Sequence, residues 1–125
     1  MKTITLYRKI KATPEEVYRA LVNPFTIELW SGEPAVMSEE AGSAFTMLDG
    51  HITGENLAFE PSRSIHQKWF FGEDHVSDVR ISLTPDKAHT QIRIEHTGIP
   101  PEAYENMLVG WKESYLDSLQ DFFEK

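Results

Sequence analysis

The 125 residues are 40% hydrophobic and 26% charged and include no cysteine. That composition suits one ordinary globular core and excludes disulfides, thiol nucleophiles, thiolate metal sites and iron–sulfur clusters. Twelve Lys plus Arg against twenty Asp plus Glu leave a formal charge of −8, a sign that repels phosphate backbones and anionic lipid headgroups and excludes nucleic acid and membrane as expected partners. No apolar run approaches the roughly 20 residues needed to span a bilayer, and the first ten residues alternate in polarity instead of forming an apolar signal core. The expectation is a cytoplasmic protein with residues 1–125 forming a single domain.

Along the chain, Ile4, Leu6 and Ile10 share one parity and Thr3, Thr5 and Lys9 the other, which predicts a half-buried strand over residues 2–10 with Arg8 as the exception on its apolar face. Thr13-Pro14-Glu15-Glu16 then supplies an N-cap, a proline in the first helical turn and a glutamate three residues after the cap, the pattern of a capping box. Val17, Tyr18, Ala20 and Leu21 give this helix its stripe, and Asn23-Pro24 ends it. A second short helix is predicted over 25–30, closed by Ser31-Gly32.

Residues 33–98 read as short strands at 35–39, 43–48, 52–60, 64–71, 77–84 and 90–97. The intervening Glu40-Ala41-Gly42, Asp49-Gly50, Pro61-Ser62, Gly72-Glu73-Asp74 and Pro85-Asp86-Lys87 supply the residues that reverse a chain. Consecutive hairpins predict a curved antiparallel sheet of about seven strands. Val79, Ile81 and Leu83, then Ile92 and Ile94, alternate with polar neighbours, so one sheet face is buried. Its cover is the final segment, where Tyr104, Leu108, Trp111, Tyr115, Leu119 and Phe122 recur at helical spacing from about 101 to 123. At 1.5 Å per residue this amphipathic helix, about 24 residues long, reaches roughly 36 Å and crosses a whole sheet. The fold class is α+β. There is no internal repeat, linker or Gly-rich phosphate loop, and no cofactor is expected.

The order strand, two short helices, further strands, long helix resembles the START-like or Bet v 1-like helix-grip fold. Thr13-Pro14-Glu15-Glu16-Val17-Tyr18-Arg19-Ala20-Leu21, then Asn23-Pro24 and Leu29-Trp30-Ser31-Gly32, is similar to the opening of the family homologous to the activator of the Hsp90 ATPase. Phe59-Glu60-Pro61-Ser62-Arg63, His96-Thr97-Gly98-Ile99-Pro100 and Gly110-Trp111 extend the resemblance over essentially the whole chain. Ser31 departs from the family's frequent second aromatic after Trp30, a change at the rim of any cavity. The resemblance implies a cavity between helix and sheet and two kinds of partner: a small hydrophobic ligand, or a chaperone. It does not imply a reaction.

Parity and helical spacing nominate cavity liners. On the strands these are Phe45, Met47, Trp69, Phe71, Ile94 and His96, with Ile92 beside them. On the helix they are Met107, Leu108, Trp111 and Tyr115. The same residue types also fill an ordinary core. His96 faces inward with Ile92 and Ile94, either as a satisfied core histidine or as a base for proton abstraction near pH 7. His51, His66, His75 and His89 show no metal-ligand spacing, so no metal is expected. Glu55 and Glu60 have facings that the sequence does not settle, and no serine, threonine or lysine stands in a nucleophile motif. The function expected is a non-catalytic binding module for a small hydrophobic ligand. The alternatives are a chaperone-interacting domain and a cyclase- or hydrolase-like enzyme using the cavity.

Overall fold

The computed structural model describes residues 1–124. Strand β1 (Lys2–Ile10) is followed by helices α1 (Pro14–Val22) and α2 (Pro24–Ser31). Strands β2 (Ala44–Met47), β3 (Ile52–Glu60), β4 (Ser64–Phe71), β5 (His75–Asp86) and β6 (His89–Ile99) come next. They form one antiparallel sheet in the order β1-β6-β5-β4-β3-β2. A continuous C-terminal helix over 101–124 completes the helix-grip architecture.

Local chemistry explains the helix pair. Thr13 Oγ1 accepts from the Glu16 N–H at 3.1 Å while the Glu16 carboxylate accepts from the Thr13 N–H at 3.0 Å, closing the capping box. Asn23 ends α1 in extended conformation and caps α2, its Oδ1 accepting from the Phe25 N–H at 2.9 Å. Gly32, at φ +77°, closes α2 in the left-handed region that glycine enters without steric cost. Trp30 then turns inward and donates its indole N–H to the Ala20 carbonyl at 2.8 Å.

The sheet has six strands, not seven. The segment expected as a strand at 35–39 makes a single bridge, Val36 to Thr46, and leaves the ladder. The Asn56 amide takes the Ser38 carbonyl at 3.2 Å, an acceptor that a longer ladder would have used. Strand β2 stops at Met47 because Leu48 and Asp49 adopt φ of 52° and 56°. The β5–β6 hairpin runs on to Asp86 and His89, so its turn is tighter than the expected 85–87, with Lys87 at φ 59°. In β3 the register shifts between Asn56 and Ala58, and the extra residue reverses the facing. Gly54 and Asn56 are buried before it, and Phe59 faces the core after it. Glu55 and Glu60 therefore both lie on the outer face, apart from the core.

The C-terminal helix is not uniform. A 3₁₀ turn (Pro101–Ala103) leads into α3 (Tyr104–Val109), then a π-helical segment (Gly110–Asp117), then α4 (Ser118–Glu124). In i→i+5 bonding, residues five apart approach one face. Trp111 is thus buried with both Tyr115 and Leu116, and Leu119 follows. Leu116 is absent from the stripe read at α-helical spacing, whereas Tyr104, Leu108 and Phe122 of that stripe are only partly buried. Arg8, the polar residue on the inner face of β1, meets this helix: its guanidinium donates to Asp117 at 2.7 Å and Gln120 at 2.8 Å.

Candidate functional site

Two features meet where the helix crosses the sheet. The first is a sealed polar and aromatic centre around His96, which is fully buried on β6. The Trp111 indole N–H donates to His96 Nδ1 at 3.0 Å, and His96 Nε2 lies 2.7 Å from Ser77 Oγ. An indole nitrogen can only donate, so Nδ1 is unprotonated. The single Ser77 hydroxyl hydrogen goes to the Trp69 carbonyl at 2.9 Å, so Nε2–H donates to Ser77. The imidazole is neutral with both nitrogens occupied. Burial lowers its pKa to about 4, only partly countered by the negative charge of Asp78. A base with no free lone pair abstracts no proton, so the geometry removes the support for catalysis by His96.

A second buried chain runs outward from the same aromatic. Trp69 Nε1–H donates to Gln67 Oε1 at 2.9 Å, and Gln67 Nε2–H to Asn56 Oδ1 at 2.8 Å. The Asn56 amide then donates to Ser38 O and Ser43 Oγ at 3.2 and 3.1 Å. Among the described residues no buried side-chain nitrogen or oxygen is left without a partner. Gln67, Asn56 and Ser77 were not singled out from sequence. Gln67 does share the parity of Ile65 and Trp69, and Ser77 that of Val79, so parity held a signal for both.

The second feature is a half-open cleft of about 580 Å³. Its walls are Ser31 and Glu33 at the end of α2, Leu48, Asp49, His51 and Ile52 around the β2–β3 turn, and one flank of the C-terminal helix. That flank contributes Asn106, Met107, Val109, Gly110, Ser114 and Ser118, while Trp69, Trp111 and Tyr115 form the floor. The Trp69 and Trp111 rings are stacked with centroids 4.6 Å apart, and Tyr115 packs 4.6 Å from Trp111 and 5.0 Å from Trp30. With exposures of 2% for Trp69 and 1% for Trp111, these rings offer only their margins to the cleft.

Of the ten residues nominated from sequence, Trp69, Met107, Trp111 and Tyr115 lie on the cleft. The other six do not. Phe45, Met47 and Ile94 are buried core, Phe71 is partly buried with its ring centroid 6.0 Å from that of His96, and Leu108 packs partly buried against the core. His96 sits behind Trp111. Ser31, the departure at the rim, does line the cleft. Among the described residues there is no cluster of three or more His, Asp or Glu side chains suited to a metal, and no helix long and apolar enough to cross a membrane.

Comparison with known proteins gives these features a context. Residues 11–124 match the model of a family described as Activator of Hsp90 ATPase homolog 1-like protein. The Mus musculus "Activator of 90 kDa heat shock protein ATPase homolog 1" is 28% identical over 123 residues, covering 96% of this chain and 36% of its own length. The chain thus spans about a third of the curated relatives it matches. Among solved structures, an HSP90 activator from Plasmodium falciparum superposes with a TM-score of 0.90 at 22% identity, covering 98% of this chain and 96% of that one. A Mesorhizobium loti protein does so with a TM-score of 0.85 at 27% identity, covering 98% and 97%. At 22% identity the first of these likenesses speaks for the fold alone.

Proposed function

Because the chain belongs to the activator of Hsp90 ATPase homolog 1-like family, we propose that it is a non-catalytic binding domain whose cleft beside the C-terminal helix takes up a small hydrophobic molecule. The observation that carries this reading is the cleft itself: about 580 Å³, half-open, with Trp69, Trp111 and Tyr115 as its floor. That volume falls in the range of small-molecule sites, and the aromatic floor gives an apolar contact surface beneath walls that carry Ser31, Glu33, Asp49, His51, Asn106, Ser114 and Ser118. A thermal-shift screen of sterols, fatty acids and aromatic compounds tests it. A ligand present at a hundred times its dissociation constant adds about 2.7 kcal/mol of stability. No shift with any class overturns the reading.

A second reading is favoured by a different observation. Four of the curated relatives are described as activator of 90 kDa heat shock protein ATPase homologs, and Phe25 and Leu29, four residues apart on α2, are 77% and 72% exposed. Adjacent exposed apolar side chains on one helix face suit a protein partner. On this reading the domain binds an Hsp90-type chaperone and raises its ATP turnover, and serine at both positions weakens that effect. If the purified domain neither binds nor stimulates such a chaperone, the reading is lost.

A further inference from the structure

Tyr115 differs from every other buried polar side chain around the cleft. It is 3% exposed and lies on the floor between Trp111 and Trp30. Yet among the described residues nothing accepts from or donates to its hydroxyl within hydrogen-bonding distance, in contrast to the Tyr18 hydroxyl, which donates to Glu39 at 2.6 Å. The Tyr115 hydroxyl is also not sealed away, since among the described residues no enclosed side-chain oxygen lacks a partner. The open surface that the residue borders is the cleft. Burial raises its pKa, so the phenol keeps a proton to donate.

Charge narrows the occupant. Among the described residues no Lys or Arg lines the cleft, and its one histidine, His51, sits at an exposed position with Nδ1 2.7 Å from the Leu48 carbonyl oxygen, whereas Glu33 and Asp49 stand at exposed positions on the rim. A carboxylate ligand would meet repulsion at the entrance and no cation inside. An ammonium group would be drawn to that rim, but at the depth of Tyr115 the buried indoles present only their positively polarised edges and no open ring face to replace its lost water. What remains is a neutral molecule with an acceptor for the phenol and a flat apolar body for the indole margins.

Resting on the cleft-binding reading above, we infer that the Tyr115 hydroxyl is the polar recognition group of the cleft and that its ligand is an uncharged aromatic molecule bearing a carbonyl oxygen. Three matched probes separate the possibilities: acetylnaphthalene, ethylnaphthalene, which lacks the carbonyl, and naphthoate, which carries a carboxylate. Binding is read from the indole N–H resonances of Trp69 and Trp111 in the wild type and in Tyr115→Phe. The expected order of affinity is ketone, then hydrocarbon, then carboxylate. Tyr115→Phe should weaken the ketone about five- to tenfold, the effect of one neutral hydrogen bond, and leave the hydrocarbon unchanged. A ketone that binds no better than the hydrocarbon, an unchanged ketone affinity in Tyr115→Phe, or a tighter carboxylate overturns this inference while cleft binding stands. Failure of all three probes, together with an empty thermal-shift screen, overturns both.

Discussion

The Trp111 indole N–H donates to Nδ1 of His96 at 3.0 Å, and this one bond ties the π-helical segment to the centre of the sheet. It also fixes the imidazole tautomer, because the opposite nitrogen must then donate to Ser77. The histidine is held neutral from both sides. Its consequence is thermodynamic: a proton added to Nδ1 would break the bond from Trp111 and place a charge in the core.

Stability should therefore fall in acid. The unfolded imidazole takes up its proton near its ordinary pKa of 6.5, the folded one near 4. Above 6.5 neither state binds the proton and the full stability is present. As pH drops from 6.5 towards 4 the unfolded chain binds more protons, and stability declines by up to about 3 kcal/mol. Urea titrations at pH 7 and pH 4.5 measure this. His96→Gln, whose amide can accept from Trp111 and donate to Ser77 without titrating, should flatten that part of the profile.

Removing Gln67 should be costly in a way its modest size does not suggest. Gln67→Met keeps most of the volume but leaves the Trp69 indole N–H and the Asn56 carbonyl oxygen buried without their partner. Two orphaned groups predict a loss of about 2–4 kcal/mol in chemical denaturation. A double variant that also replaces Asn56 with leucine should lose less than the sum of the two single changes.

Much of this fold was legible because each turn announces itself and each strand alternates. The capping box at Thr13 and Glu16 follows from local chemistry alone. What escaped the sequence are the places where a non-local bond overrides the local pattern. Residues 35–39 alternate acceptably for a strand, yet the Asn56 amide claims the Ser38 carbonyl. The extra residue in β3 reverses which residues face inward, and nothing near Leu57 marks it. Leu116 looks off-stripe until the helix is known to be π-helical there. The cleft was half legible: spacing finds Trp69, Trp111 and Tyr115, but only the tertiary structure shows that His96 lies behind them.

Arg8 links the edge strand to the last helix through partly exposed bonds to Asp117 and Gln120. Solvent screening keeps such a pair weak, so Arg8→Met should cost about 1 kcal/mol or less. The better readout is local. Amide exchange over α4 should accelerate in the variant relative to the sheet, and the wild-type protection of α4 should fall at high salt.

Two glycines predict opposite outcomes for the same substitution. At Gly54 on β3, a Cβ would run into the Lys68 carbonyl oxygen and sit 2.6 Å from the Phe45 ring. The carbonyl belongs to the adjacent strand β4 and cannot move without breaking the ladder beside Trp69. Gly54→Ala should therefore destabilise by more than about 3 kcal/mol or prevent folding. At Gly110 the backbone is helical, with φ −59° and ψ −44°, and among the described residues no atom beyond its own stretch of helix lies within 4 Å of an added Cβ. Gly110→Ala removes the entropic penalty of glycine in a helix and should stabilise by about 0.5–1 kcal/mol. For a domain of this size that is a rise of a few degrees in Tm, measurable by calorimetry. A fall in Tm at Gly110 would mean that the start of the π-helical segment depends on glycine for a reason other than space.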